Sequence, residues 1–181
     1  MDNRSYRQMT VKAAETLFGY YGRNGYDVLY DHSSTKENVG KIVSWFGDTY
    51  GRETELSQLD IAIVKKGSDQ VLALIEIEEA DDSPKTFMGD VFGVLMGDHI
   101  RFRGERELAV GAYTTLIVLA KSKVMHRKRN AYLYEEGMKV KSTLSTANAI
   151  IGNIVIETFA DEKGLYALLS SVLDKALAEE L

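Results

Sequence analysis

In the first third of the chain, apolar residues are regularly spaced in one segment and irregularly spaced in another. Apolar side chains recur at helical spacing from Ser5 to Tyr21, which predicts a helix that ends at a glycine-containing turn. A short strand is predicted next, over Tyr26 to His32. From Ser33 to Leu56 the chain is polar and interrupted by glycine, and its weak periodicity predicts neither a helix nor a strand.

The middle of the chain predicts a β-hairpin followed by a helix. Leu59 to Val64 and Val71 to Glu78 have apolar strand patterns, and the loop between them contains glycine. After the second strand, Ser83 can cap a helix and Pro84 suits its first position. We therefore predict a helix that runs from there to about Ile100.

The remaining pattern completes an alternation of strands and helices. Thr114 to Ala120 is β-branched and apolar, so we predict a buried strand, parallel to Val71 to Glu78 because a helix connects the two. Val124 to Val140 is predicted to be helical, Asn153 to Phe159 to be the last strand, and Leu165 to Leu181 to be an amphipathic helix. The order αβββαβαβα predicts an α/β fold with a central mixed β-sheet flanked by helices.

Composition narrows the class of protein. The 181 residues are 45% hydrophobic and 27% charged, which suits a single globular domain over residues 1–181. No apolar run reaches the roughly 20 residues that cross a bilayer, and the first residues lack a signal-peptide core, so we expect a cytoplasmic protein without a membrane partner. The absence of cysteine excludes disulfides, thiolate metal sites and cysteine nucleophiles. A net charge of -5 argues against extensive wrapping by nucleic acid, although a local basic patch can still bind phosphate.

Three acids are predicted to meet at one end of the hairpin. If the loop covers Lys66 to Gln70, the pairing sets Asp60 opposite Glu76, with Cβ atoms about 5 Å apart. Glu78 follows roughly 7 Å further along the same face of the strand. Carboxylates this close repel each other unless positive charge lies between them, and Mg²⁺ prefers such oxygen ligands. The alternative is that these are solvated strand ends that face water.

The strand order and these acids resemble the PD-(D/E)xK superfamily of restriction endonuclease-like nucleases. That family has an αβββαβ core with an aspartate on the second strand and Glu-x-Lys on the third, and the resemblance covers Ser5 to Ala120. It is carried by Leu59-Asp60-Ile61-Ala62-Ile63-Val64 and Ala73-Leu74-Ile75-Glu76-Ile77-Glu78. The resemblance implies that Asp60 and Glu76 bind Mg²⁺ or Mn²⁺. Glu78 stands where the family has lysine, as in some restriction endonucleases that have Glu-x-Glu.

The resemblance also suggests roles for other residues. Glu78 would act as a further metal ligand or as the general base. Lys85, early in the following helix, could replace the family lysine, or it could be a solvated helix residue. Glu15 matches an acidic position on the family's first helix and would reach the metal directly or through water, whereas an isolated helical glutamate is more often only exposed.

A basic run follows the predicted fourth strand. The sequence KSKVMHRKR holds five basic residues and no acid: Lys121, Lys123, Arg127, Lys128 and Arg129. These side chains could neutralise nucleic-acid phosphates with little sequence preference. The alternative is a solvated helix start, since charge runs often do nothing more.

The function expected from these observations is that of a Mg²⁺- or Mn²⁺-dependent endonuclease that hydrolyses DNA. RNA or a nucleotide is an alternative substrate for the same acids. A rival of another class is a catalytically inactive nuclease-like domain that binds nucleic acid or a protein partner, because fold does not dictate function. Cutting both strands of a duplex usually needs two active sites, so a two-fold homodimer is expected for the nuclease.

Overall fold

The computed structural model describes residues 8–31, 38–79, 84–122 and 151–178, with positions 135 and 139, and gives only the backbone for 84–88 and 90. The helices are α1 (Gln8–Tyr21), α2 (Pro84–Leu95) and α3 (Glu162–Ala178). The strands are β1 (Tyr26–Tyr30), β2 (Ile42–Trp45), β3 (Glu55–Leu59), β4 (Ile61–Lys65), β5 (Val71–Glu78), β6 (His99–Phe102), β7 (Arg106–Ala109), β8 (Thr115–Lys121) and β9 (Asn153–Phe159). No helix in this part of the chain is long and apolar enough to cross a membrane.

The strands form two sheets. A five-stranded mixed sheet has the order β1-β4-β5-β8-β9. Its first three strands are antiparallel, whereas β5, β8 and β9 run parallel. A four-stranded antiparallel sheet has the order β3-β2-β6-β7. The predicted α/β class with a mixed sheet flanked by helices is therefore confirmed, as is the parallel crossover from β5 through α2 to β8.

The five-stranded sheet separates two hydrophobic cores, which gives the described part of the molecule three layers. On one face, Ile75 of β5 packs in a first core with side chains of α1 and α3, among them Leu17 and Leu173. On the other face, Leu74 packs in a second core with α2 and the four-stranded sheet, including Ile100. Both faces of β5 are thus buried, which explains its near-continuous apolar sequence.

A β-bulge alters the predicted faces of β5. Ala73 pairs with Ile63, but Val71 pairs with Val64, so Leu72 is the additional residue. Leu72 consequently lies in the first core, together with Ala73. Strict alternation along the strand, which the apolar pattern of the sequence predicts, would instead have placed Leu72 on the face of Leu74.

The four-stranded sheet was not predicted from the sequence. Strand β2 lies in the stretch that was left without an element, and β3 begins in that stretch and ends at Leu59, the first residue of the strand predicted over Leu59 to Val64. Strand β6 begins within the predicted extension of α2, which ends at Leu95 rather than near Ile100. Each of these strands has only four or five residues. The predicted helix over Val124 to Val140 lies outside the described residues, apart from positions 135 and 139.

Candidate functional site

The chain passes from one sheet to the other at Asp60. Leu59 ends β3 and is buried in the second core, whereas Ile61 begins β4 and is buried in the first core. Asp60 is the single residue between them and is itself buried, with 9% of its surface exposed. An aspartate in this position is fixed on both sides by core residues, so its backbone has little freedom to move.

Strand pairing sets Asp60 opposite Glu76. Ile61 pairs with Ile75 in the antiparallel β4-β5 ladder, and continuing that ladder by one residue brings Asp60 level with Glu76. The sequence predicted the same juxtaposition from a pairing of Lys65 with Val71. The structure instead pairs Val64 with Val71, one residue away from the predicted pairing. Because the bulge adds one residue to β5, the pairs beyond it, from Ile63 with Ala73 to Ile61 with Ile75, agree with the predicted register.

Glu76 and Glu78 lie on the face of β5 that bears the second core. Side chains alternate along a strand, and Leu74, two residues before Glu76, is buried in that core. Both glutamates are half-buried, and Oε1 of Glu76 is enclosed by the protein. The three acids proposed from the sequence therefore share one end of β4-β5, while their role as ligands stays a prediction.

The Asp60 carboxylate also has a structural contact. Its Oδ2 accepts a hydrogen bond from the backbone N–H of Ile77, with the nitrogen and oxygen 2.9 Å apart. Strand β4 begins only at Ile61, so this carboxylate satisfies a β5 donor just beyond the end of the ladder. The position of Asp60 is consequently fixed both by its buried neighbours in the chain and by the hydrogen bond of its carboxylate to Ile77.

Asp31 is an acid that the sequence reasoning missed. Its backbone N–H donates to the carbonyl oxygen of Asp60 at 2.9 Å, and Tyr30 pairs with Ile61 in the preceding rung of the ladder. Asp31, Asp60 and Glu76 thus follow one another on three neighbouring segments at the same end of the sheet. The predicted strands, Tyr26 to His32 and Leu59 to Val64, contained Asp31 and Asp60, so the sequence did not show that each acid stands directly beside a strand end.

Glu79 connects the same end of β5 to α1. Its carboxylate accepts hydrogen bonds from the backbone N–H groups of Met9, at 3.3 Å, and Thr10, at 2.5 Å, and from the Thr10 hydroxyl at 2.6 Å. A carboxylate in this position satisfies donors in the first helical turn and interacts favourably with the helix dipole. Glu79 therefore positions α1 against the sheet and stands apart from the other acids.

The role of Glu15 in the site stays a prediction. Glu15 is exposed on α1, and α1 packs in the first core through Ala13, Ala14 and Leu17. The glutamates of β5 face the second core, on the opposite side of the sheet.

The predicted basic residues are described only in part. Lys85 lies in the first turn of α2, which begins soon after β5 ends, and its side chain is outside the description. Lys121 is half-buried at the end of β8. The rest of the predicted phosphate patch, Lys123, Arg127, Lys128 and Arg129, lies outside the described residues.

The acids fit a hard divalent cation in one respect and not in another. Carboxylate oxygens from neighbouring segments are the donors that Mg²⁺ prefers. Among the described side chains, however, no group of three or more histidines, aspartates or glutamates converges closely enough to hold a metal ion.

Comparison with known proteins gives no relative to this chain. No family model matches it, and neither a curated protein nor a solved structure is significantly similar.

Proposed function

We propose that this protein is a Mg²⁺- or Mn²⁺-dependent nuclease that hydrolyses DNA phosphodiester bonds. The observation that carries the proposal is the ladder alignment of Asp60 with Glu76, with Glu78 two residues further on the same face. Like charges are rarely gathered at a half-buried end of a sheet without a counter-charge, and a cation with a phosphate substrate supplies one.

The order of elements supports a restriction endonuclease-like core. With the four-stranded sheet set aside, the chain reads α1, β1, β4, β5, α2, β8, which is an αβββαβ order. Asp60 then directly precedes the second strand of this core, and Glu76 lies on the third. These are the metal-ligand positions of the PD-(D/E)xK family.

Each residue has a defined part in the proposal. Asp60 and Glu76 hold the cation, which when bound would polarise the phosphate and supply hydroxide near neutral pH. Glu78 accepts a proton from the attacking water or adds a ligand oxygen. Asp31 adds negative charge beside Asp60, and Lys85 could reach a phosphate from the first turn of α2.

Plasmid nicking tests the proposal directly. Supercoiled DNA is incubated with Mn²⁺ and with wild type, Asp60→Asn, Glu76→Gln or Glu105→Gln, the last being a control at an exposed glutamate in the β6-β7 turn. We expect the first two variants to lose at least about 100-fold in rate, a typical loss for a general-base or charge-stabilising group. Equal rates in all four proteins would refute the catalytic assignment. Parallel reactions with RNA and with a nucleotide diester decide the substrate class.

A non-catalytic nuclease-like domain is the second candidate. It is favoured by the hydrogen bond from Ile77 to Asp60 and by the absence of a convergent acid group among the described residues. Titration calorimetry with Mn²⁺ separates the two functions. An inert scaffold should show no Mn²⁺ binding that is lost in Asp60→Asn.

The expected homodimer is a separate question. Sedimentation with and without duplex DNA would test it in the same preparations.

A further inference from the structure

Arg103 has a backbone conformation that arginine rarely adopts. Its φ is +54°, and in the part of the chain that the structure describes it is the one residue other than glycine with a positive φ. Arg103 and Gly104, with φ of +73°, are the central residues of the turn between β6 and β7, in which the N–H of Glu105 donates to the carbonyl oxygen of Phe102 at 3.1 Å. Turns with two positive φ angles favour asparagine, aspartate or glycine at the first of these positions. An arginine held there against its backbone preference is the kind of outlier that clusters at functional sites.

Strand pairing places Arg103 at the same end of the four-stranded sheet as Asp60. The ladders of β2 with β3 and of β2 with β6 both reach Ile42, which pairs with the last residue of β3 and with the last residue of β6. Continuing both ladders by one residue sets Lys41 between Asp60 and Arg103, and the N–H of Arg103 donates to the carbonyl oxygen of Lys41 at 3.0 Å. Neighbouring strands are about 4.8 Å apart, so the Cα atoms of Asp60 and Arg103 are separated by roughly 10 Å.

The Arg103 side chain is held against a segment that adjoins the acids. Its Nε donates to the carbonyl oxygen of Val39 at 2.8 Å, and its Cγ passes over Gly40 so closely that a Cβ at position 40 would overlap it. Val39 forms a bridge with Tyr30, the residue before Asp31. The side chain is therefore fixed beside the acidic end of the sheet, while Arg103 as a whole is exposed.

The lysine between these two residues is directed elsewhere. Nζ of Lys41 lies 2.8 Å from Oε1 of Glu55, the first residue of β3, whereas Asp60 follows the other end of that strand. Arg103 is therefore the better-placed positive charge at the acidic end. Arginine presents five N–H donors in a planar fork that matches phosphate oxygens, so its bond to Val39 is compatible with binding a phosphate.

We propose that Arg103 contacts a backbone phosphate of the DNA, close to the phosphate that the acids and their cation would bind. The inference rests on the proposed function for the identity of the ligand, and it adds a substrate contact to that site. It also gives the four-stranded sheet, which lies outside the αβββαβ core, a part in holding the DNA. Acids alone would repel the backbone, and a fixed guanidinium group beside them offsets that repulsion.

Binding is measured by the fluorescence anisotropy of a labelled DNA duplex in Ca²⁺, which takes the same oxygen ligands, with a gel to verify that the DNA stays intact. Arg103→Gly removes the side chain and suits the turn, since Gly-Gly is among its preferred pairs. We expect Kd to rise about 10-fold, the order expected for one charge-assisted hydrogen bond. The slope of log Kd against log salt should fall by about 0.9, which corresponds to one phosphate contact.

Two further variants test whether the position of the side chain matters. Arg23→Ala removes the same charge from an exposed residue before β1, at the end of that strand away from Asp31, and should bind like wild type. Gly40→Ala should displace the Arg103 side chain and weaken binding, but it should have no effect when combined with Arg103→Gly. Thermal unfolding of each variant verifies its fold.

Wild-type affinity and salt slope in Arg103→Gly would overturn the inference, as would an equal effect of Gly40→Ala with and without the arginine. The inference and the proposed function can fail separately. Nicking that depends on Asp60, together with wild-type binding by Arg103→Gly, would reject the phosphate contact and leave the nuclease standing. Binding that depends on Arg103 without any nicking would support the contact and reject the nuclease.

Discussion

Two substitutions of Asp60 separate its structural contact from its proposed chemistry. The carboxylate accepts the Ile77 N–H at 2.9 Å in a buried position. Asparagine keeps a carbonyl oxygen for that donor but loses the negative charge, whereas alanine loses both. We therefore expect stability to fall in the order wild type, Asp60→Asn, Asp60→Ala, while both variants lose nuclease activity alike.

The magnitude follows from the kind of hydrogen bond. A bond to a charged acceptor contributes about 1.5–3 kcal/mol and a neutral one about 0.5–1.5 kcal/mol, so Asp60→Asn should lower the free energy of unfolding by about 1 kcal/mol. Asp60→Ala leaves the buried N–H of Ile77 without this acceptor, and a loss of about 2–3 kcal/mol is expected. For a chain of this length, about 1 kcal/mol corresponds to a shift in Tm of about 2–4 °C.

Urea unfolding followed by Trp45 fluorescence measures these differences, because the chain has one tryptophan. The free energies are compared at equal m-values, and plasmid nicking is assayed on the same preparations. If Asp60→Asn were as unstable as Asp60→Ala, the hydrogen-bond argument would be wrong. If Asp60→Asn cut DNA at the wild-type rate, the metal-ligand argument would be wrong while the structural one survived.

Three further outcomes are expected. Burial, reinforced by a hydrogen bond to an aspartate, raises the pKa of Tyr21 well above its usual 10.0. The neutral Tyr21 side chain therefore contributes its full stabilisation below about pH 10, and this stabilisation is lost as the pH rises further. In a profile of unfolding free energy against pH, Tyr21→Phe should therefore show a smaller decrease on the alkaline side. Glu79→Ala removes the acceptor for the first turn of α1 and should lower the free energy of unfolding by about 0.5–2 kcal/mol in urea titrations, with a smaller effect for glutamine. In Gly152→Ala the new Cβ would overlap the backbone carbonyl of Ala112, and thermal melting should show that the free energy of unfolding falls by about 1–3 kcal/mol. In Gly19→Ala the new Cβ meets no atom, so this control should raise the free energy of unfolding by about 1 kcal/mol through its helix propensity.

The placement of the acids was predictable because strand periodicity is local. Strand β5 was predicted with the bounds Val71 to Glu78, and the structure has the same bounds. The alignment of Asp60 with Glu76 was also predicted, although the rung used to count it, Lys65 with Val71, is displaced by the bulge. The hairpin sequence gave no sign of the additional residue, since every side chain near it is apolar.

The four-stranded sheet was not predictable by the same means. Strands of four residues are too short to establish a period, and His99 to Phe102 continues an apolar pattern that also suits a helix. Asp31 was missed because its proximity to Asp60 arises only when β1 pairs with β4 across a long connection. Short strands and distant pairings depend on tertiary contacts that one sequence does not encode locally.

The junction at Asp60 restricts how this protein can vary in length. Leu59 and Ile61 are anchored in different hydrophobic layers, with one residue between them. Adding or deleting a residue there would reverse the inward and outward sides of whichever strand moved, and would expose its apolar side chains to water. Related sequences should therefore accept insertions at the β4-β5 turn, whereas the spacing from β3 to β4 should stay constant.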